Sequence, residues 1–159
     1  MKSNKFFMST LFFVFALLCT TTTATAQYWR IHVQGISFLV PKGIQTDNTM
    51  ESFTGDHTDF SVALMTLPVE DPTLADNYNV YNELLSGIDN FEAYPEKIKP
   101  LELKGFKGIT VEGNNGEVEM YICMMFDRKK KNLYITVLQD NSLNGNAPIH
   151  AYKLFNSFE

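Results

Sequence analysis

Two neighbouring segments of this chain are apolar on both faces of an extended strand, and that pattern limits the folds open to it. In residues 117–126 the two faces carry Met120, Ile122, Met124 and Phe126 on one side and Tyr121, Cys123 and Met125 on the other. In residues 133–139 they carry Leu133, Ile135 and Val137 against Tyr134, Thr136 and Leu138. Strands of this kind must be covered on both faces. The sequence therefore predicts a sheet with other structure above and below it.

Two amphipathic helices can supply these layers. After Pro72, apolar residues recur at helical spacing on one face, at Leu74, Tyr78, Tyr81, Leu85 and Ile88. We expect Thr73 to cap this helix and Gly87 to end it in a left-handed conformation. The carboxylate of Asp76 should interact favourably with the positive N-terminal end of the helix dipole. Asn146 is predicted to cap a second helix, whose inner face would hold Ile149, Tyr152, Phe155 and Phe158.

The remaining strands follow from period-two alternation and turn residues. Residues 28–41 predict two short strands or one bent strand, with Gly35 at the bend. Residues 50–54 and 60–67 predict a pair joined by a polar turn, and residues 101–112 predict the first strand of a three-stranded meander. Together the pattern favours an α+β fold over residues 27–159, with a mostly antiparallel sheet and helices on both faces in a single domain.

Three short segments carry a resemblance to a known superfamily. Residues 36–41 read ISFLVP, residues 104–108 read KGFKG before the meander, and residues 155–158 close the chain with FNSF. With the central helix, they resemble the PsbP-like superfamily, which includes photosystem II extrinsic subunits, a Ran-binding nuclear factor and DcrB-like envelope proteins. The resemblance implies an α/β/α sandwich that serves binding and assembly without shared catalytic residues. The chain lacks the metal ligands of the photosynthetic members at matched positions, and no functional residue is carried over.

Residues 1–26 predict a secretory signal peptide. Two lysines precede the apolar run of residues 6–18, and the segment ends in Ala24-Thr25-Ala26, the small-x-small pattern of a cleavage site. The run is too short to span a bilayer as a helix. We therefore expect an exported, periplasmic or extracellular protein without an integral membrane span. Cys19 offers lipid anchoring as an alternative, but Leu18 stands where a lipobox has a small residue.

The charge and the cysteine content limit the classes of partner and the covalent links that this chain can have. The chain has a net charge of −5, and residues 1–26 contribute only lysines to it, so the exported part is more acidic still. An acidic domain argues against nucleic acid as a partner. Cleavage would leave Cys123 as the single cysteine, which excludes an intramolecular disulfide. No motif predicts a cofactor, and the pattern leaves open the oligomeric state and whether the partner is a protein or a small molecule.

His57 lies in the one segment where an imidazole is flanked by carboxylates, Asp56-His57-Thr58-Asp59. A divalent metal could use His57 with Asp56 or Asp59, and an acid–base pair could use the same atoms. A polar hairpin tip accounts for these residues better, since Asp, Gly and Thr supply turn geometry and side-chain caps. Because a structural metal site usually needs four ligands and no second cluster is visible, we predict no metal and no catalytic residue here. His57 is kept as a candidate partner-binding residue.

Cys123 could act as a nucleophile if a histidine reached it in space, the candidates being His32, His57 and His150. Its neighbours in the strand are Ile122 and Met124, where a thiol behaves as a small apolar group. No helix start or adjoining lysine would lower its pKa. The sequence favours a buried thiol.

The connection Asp89–Pro100 holds the other candidate partner-binding residues, Phe91 and Tyr94. It lacks periodicity and contains two prolines, and long irregular connections in compact domains are often functional. Exposed aromatic side chains make good contact anchors. The alternative is that both rings fold back over the sheet.

Three functions remain open from the sequence. The favoured one is an exported, non-enzymatic binding or accessory module of a bacterial envelope or secreted compartment. The second is a hydrolase or thiol enzyme built on Cys123 and His57. The third is a carrier for an apolar small molecule, which would need an enclosed apolar cavity between sheet and helix.

Overall fold

The computed structural model describes residues 27–48, 52–142 and 144–159. The predicted signal peptide and Cys19 lie outside the described residues, as does Met50, where a strand was expected to begin. The strands are β1 (Tyr28–Val33), β2 (Ile36–Pro41), β3 (Gln45–Asn48), β4 (Ser52–Asp56), β5 (Phe60–Pro68), β6 (Glu92–Ala93), β7 (Lys99–Leu103), β8 (Phe106–Asn114), β9 (Glu119–Asp127) and β10 (Asn132–Asp140). The helices are α1 (Tyr78–Ser86) and α2 (Ala147–Phe155), with short 3₁₀ helices at Pro72–Asp76 and Pro95–Lys97.

The main sheet has the order β3-β4-β5-β10-β9-β8-β6, and β7 pairs with β8 along the same edge as β6. Every pair in it is antiparallel. Strands β1 and β2 form a separate antiparallel hairpin. The predicted α+β class with a mostly antiparallel sheet is confirmed.

Strand β9 lies at the centre of the protein. It pairs with β10 on one side and β8 on the other, and every residue from Met120 to Asp127 is buried. On one face, Tyr121, Cys123 and Met125 join a cluster with the β1–β2 hairpin and α2. On the other face, Ile122, Met124 and Phe126 pack with α1. The two helices therefore cover opposite faces of the sheet, as the two-sided pattern predicts.

The hairpin and the C-terminal segment form one layer. The backbone groups of Ser37 and Glu159 exchange two hydrogen bonds of 2.9 Å, and Leu39 N donates to Ser157 Oγ at 2.7 Å. Small residues of α2 are fully buried against this layer, Ala147 and Ala151 among them. This contact fixes the position of α2 over the sheet.

The start of the first helix differs from the prediction. Asp71 accepts a hydrogen bond from Thr73 N at 2.9 Å and caps the 3₁₀ helix, so Thr73 is not the cap. Asn77 is extended and accepts from Asn79 N at 3.0 Å, which starts α1 afresh. Asparagine side chains compete with helical backbone bonding in this way. Gly87 has φ −81°, so the predicted left-handed end is also wrong.

Two glycines with positive φ set the hairpins. Gln34 (φ +51°) and Gly35 (φ +81°) form a two-residue turn, so residues 28–41 are two strands rather than one bent strand. The predicted strand 101–112 is wrong, because the chain turns at Lys104-Gly105 and makes β7 and β8 instead. Gly105 has φ +91°, which suits glycine and ends the strand there.

Helix α2 is turned relative to the prediction. Asn146 makes no side-chain cap, and Ile149 is 62% exposed instead of facing inward. The buried face holds Ala147, His150, Ala151, Leu154 and Phe155. Because the alanines allow close approach to the hairpin layer, they take the inner face and turn His150 towards the sheet. The helix ends at Phe155, and Phe158 is buried beyond it.

No helix among the described residues combines the length and hydrophobicity that crossing a membrane requires.

We expect Gly108→Ala to destabilise the protein by about 3 kcal/mol. A Cβ at Gly108 would overlap the carbonyl group of Met124 and lie 2.9 Å from the Cα of Met125, both in the backbone of the paired strand. Neither can move without breaking the β8–β9 ladder. The measurement is the free energy of unfolding by urea titration.

Gly87→Ala is the matched control. Gly87 is right-handed, and an added Cβ would meet its nearest neighbour, Leu84 O, at an ordinary 3.4 Å. Alanine should therefore leave stability unchanged or raise it by up to about 1 kcal/mol. Equal effects of the two substitutions would contradict the tight β8–β9 packing.

Candidate functional site

A cavity of about 450 Å³ opens where the β4–β5 turn, the N-terminal hairpin and the start of α2 meet. We call it the turn cavity. Its wall includes Tyr28 and Lys42 from the hairpin segment, His57 and Asp59 from the turn, and Ile149 and His150 from α2. Two imidazoles, a carboxylate and an ammonium group therefore share one concave surface.

His57 is fixed by the turn that carries it. Its backbone N–H donates to Phe60 O at 2.9 Å, and its ring stacks on the Phe60 ring with centroids 5.2 Å apart. The backbone N–H of Asp59 donates to His57 Nδ1 at 3.2 Å. Because a backbone amide can only donate, Nδ1 is the ring nitrogen without a proton. The side chain is 17% exposed.

Asp59 is the centre of the polar network. One carboxylate oxygen accepts from Asn144 Nδ2 at 2.8 Å, and the other accepts from Asn146 Nδ2 at 3.3 Å. This second oxygen lies 3.5 Å from His150 Nε2 and 3.9 Å from His57 Nδ1. The hydrogen bond from Asn144, reinforced by Asn146 and His150, holds the pKa of Asp59 below its usual range although burial opposes the shift. Asp59 is therefore an anion at neutral pH.

His150 reaches the site from the first turn of α2. The residue is 7% exposed, and its ring packs against that of Phe60 with the centroids 5.1 Å apart. Its Nδ1 is hydrogen bonded to the Tyr28 hydroxyl at 2.9 Å. Burial lowers the pKa of His150 although Asp59 opposes the shift. The imidazole is therefore neutral at pH 7.

The structure brings together His57 and Asp59, which the sequence marks, with His150, which the sequence does not connect to them. One ligand-type atom from each of the three lies within 4.8 Å of the others. His150 stands more than ninety positions from His57 in the chain. The rotation of α2, whose alanines face inward, directs His150 to the turn. The sequence pattern connects His150 only with Cys123, as a possible partner for its thiol.

Phe91 and Tyr94 lie elsewhere. They flank β6, which is separated from β5 by β10, β9 and β8, about 19 Å of sheet. Phe91 is half-buried among the α1-side core residues, and the Tyr94 hydroxyl donates to Glu119 Oε1 at 2.9 Å while accepting from Asn114 Nδ2 at 2.8 Å. Both rings fold back on the sheet edge, and His57 shares no surface with them.

Cys123 lies inside the sheet. It is fully buried on β9, opposite Thr110 and Thr136 on the neighbouring strands. Burial raises the pKa of the thiol well above its usual value. The buried, protonated thiol that the sequence favours is what the structure contains.

No family model matches this chain, and no curated protein matches it in sequence. The fold is similar to that of the Ran-binding protein Mog1p of Saccharomyces cerevisiae, with a TM-score of 0.56 and 11% identity over 85% of this chain and 96% of that one. A point mutant of the protein Mog1 gives a TM-score of 0.53 and 12% identity over 84% and 95% of the two chains. LpqN of Mycobacterium tuberculosis, involved in cell envelope biogenesis, gives 0.47 and 15% over 84% and 90%.

At this level of identity the likeness to Mog1 shows the fold alone. It agrees with the fold that the PsbP-like resemblance implies.

Proposed function

We propose that this chain is an exported, non-enzymatic binding module of a bacterial envelope or secreted compartment, and that its ligand binds in the turn cavity. The observation that carries the proposal is the convergence of His57, Asp59 and His150 on one open cavity. The volume and concave shape of the cavity are typical of small-molecule sites, although its lining is more polar than in most of them.

The chemistry of the wall favours a polar ligand. Asp59 supplies a negative charge, Lys42 a positive one, and Tyr28 a hydroxyl group. The cavity is open to solvent, with Ile149 exposed at its rim. An apolar carrier would need an enclosed apolar space instead, so the turn cavity does not support that alternative.

The alternative of a hydrolase or thiol enzyme built on Cys123 has less support. Cys123 is sealed in the core and cannot meet a substrate without opening of the sheet. His32 Nδ1 lies 3.0 Å from Ser37 Oγ on the exposed hairpin, but the pair lies outside the turn cavity, and no carboxylate among the described residues forms an ion pair with the His32 ring. A serine nucleophile needs a base that a third group orients.

Export rests on the leader sequence. Cleavage after Ala26 would leave Gln27 as the first residue, and Gln27 O accepts from Lys42 N at 2.6 Å at the edge of the cavity. The first residue of the proposed mature chain is therefore bonded within the fold.

We expect the protein, produced with its leader in a Gram-negative host, to be recovered outside the cytoplasm. Its mass should equal that of a chain that begins at Gln27. Intact-mass spectrometry of the fractions measures this. Ala26→Lys should block cleavage, because a signal peptidase accepts only small residues there, whereas Thr25→Ser at the tolerant middle position should not. An intact chain in the cytoplasm, or a lipid-modified terminus at Cys19, would contradict the proposal.

A screen of small polar fragments should find ligands for the turn cavity. ¹H–¹⁵N NMR spectra of the labelled protein would show the shifts clustering at Tyr28, His57, Asp59 and His150. Ile149→Arg should lower the affinity of the best fragment at least about tenfold, since the substitution places a bulky charge at the rim without disturbing the core.

Tyr78→Arg is the matched control. Tyr78 is 55% exposed, close to the 62% of Ile149, but lies on α1 across the sheet. It should leave fragment affinity unchanged. Fragments that shift residues elsewhere, or no binding from a broad library, would overturn the proposed site.

A further inference from the structure

We propose that His57, Asp59 and His150 form a binding site for one divalent transition metal ion, with Zn²⁺ as the ion that suits them best. The inference deepens the proposed function and rests on it, because the metal would occupy the turn cavity and present a free coordination position to its ligand.

The donor set selects the metal. Two imidazole nitrogens and one carboxylate oxygen form a combination found at zinc sites that keep one position open. Calcium and magnesium favour oxygen ligands, and Cu(I) favours thiolate or thioether sulfur. Cys123 is too deeply buried to compete. The residues therefore match zinc in kind and number.

The spacing is close to what zinc requires. Bonds of 2.0–2.1 Å in a tetrahedral site place donor atoms about 3.4 Å apart. Asp59 Oδ2 lies 3.5 Å from His150 Nε2 and 3.9 Å from His57 Nδ1, and the donor atoms of all three residues lie within 4.8 Å of one another. Small side-chain rotations would close the remaining gap.

The Nδ1 atom of His57 is unprotonated and lies 3.9 Å from Asp59 Oδ2. Its Nδ1 accepts the backbone N–H of Asp59 at 3.2 Å, a long bond that a metal ion can replace. Stacking on Phe60 holds the ring in place. The side chain thus needs no change of tautomer to bind.

His150 has an outer hydrogen-bonding partner for its second ring nitrogen, the hydroxyl group of Tyr28. Tyr28 bonds to its Nδ1 at 2.9 Å, and a phenol can accept a hydrogen bond as well as donate one. When Nδ1 carries the proton and donates it to Tyr28, Nε2 is free to bind the metal. Outer hydrogen bonds of this kind fix tautomer and ring orientation.

Asp59 is supported in the same way. Asn144 and Asn146 each donate an amide N–H to its carboxylate, at 2.8 and 3.3 Å. These bonds orient the carboxylate towards both imidazoles. The loop before α2 and the first turn of α2 therefore contribute to the site together.

The experiment is zinc titration of the chelator-treated full chain by calorimetry, in a Cys19→Ser background so that the thiol of Cys19 cannot bind zinc. We expect one zinc ion per chain and a rise in melting temperature that grows with zinc concentration. His57→Gln and Asp59→Asn should each weaken binding at least about a hundredfold, because a three-ligand site cannot keep its affinity on two.

His32→Gln is the matched control. His32 is the one histidine outside the cluster, lies exposed on β1, and should leave zinc affinity unchanged. If a substitution at Asp59 prevents folding, paramagnetic Co²⁺ gives an independent test on the unsubstituted protein. Its NMR line broadening should centre on residues 57, 59 and 150.

The outcomes separate the two proposals. Equal zinc affinity in the His57→Gln and His32→Gln proteins, or Co²⁺ broadening centred elsewhere, would overturn the metal site. If zinc does not bind but fragments still shift the NMR signals of the cavity residues, the metal site is overturned and the proposed function stands. Loss of both would overturn the proposed function as well.

Discussion

The burial of β9 on both faces is the constraint on which the rest of this structure depends. Its side chains alternate between two apolar clusters, so neither face can be left to water. Burying them fully stabilises the fold by roughly 1.5–3 kcal/mol for each large side chain. The chain therefore has to build a layer on each side of the sheet, α1 on one and the β1–β2 hairpin with α2 on the other.

The candidate site is a consequence of the second of these layers. Hydrogen bonds between Ser37 and Glu159 join the hairpin to the C-terminal segment, and the alanines of α2 pack close against the hairpin. The buried face of helix α2 includes His150, and this rotation places its ring beside the β4–β5 turn. A requirement of the core has thus assembled polar groups that are distant in sequence.

The two-sided pattern of residues 117–139, which is local, predicts the fold class and the central strands. The features that this pattern does not predict depend on tertiary contacts or on turn residues that interrupt a helix or a strand. Asn77 restarts a helix that apolar spacing alone runs through, and Gly105 ends a strand that alternation alone continues. For the site, the sequence marks His57 and Asp59 because they are neighbours. His150 could not be assigned to them, since its direction is set by the packing of α2.

Amide hydrogen exchange by NMR tests the central role of β9 most directly. Strands buried on both faces open only with the whole molecule, so the amides of residues 121–126 should exchange slowest, at a free energy close to that of global unfolding. The exposed edge strand β3 should exchange orders of magnitude faster. Exchange in β9 as fast as in β3 would show that one face of the sheet is open to water and would contradict the account.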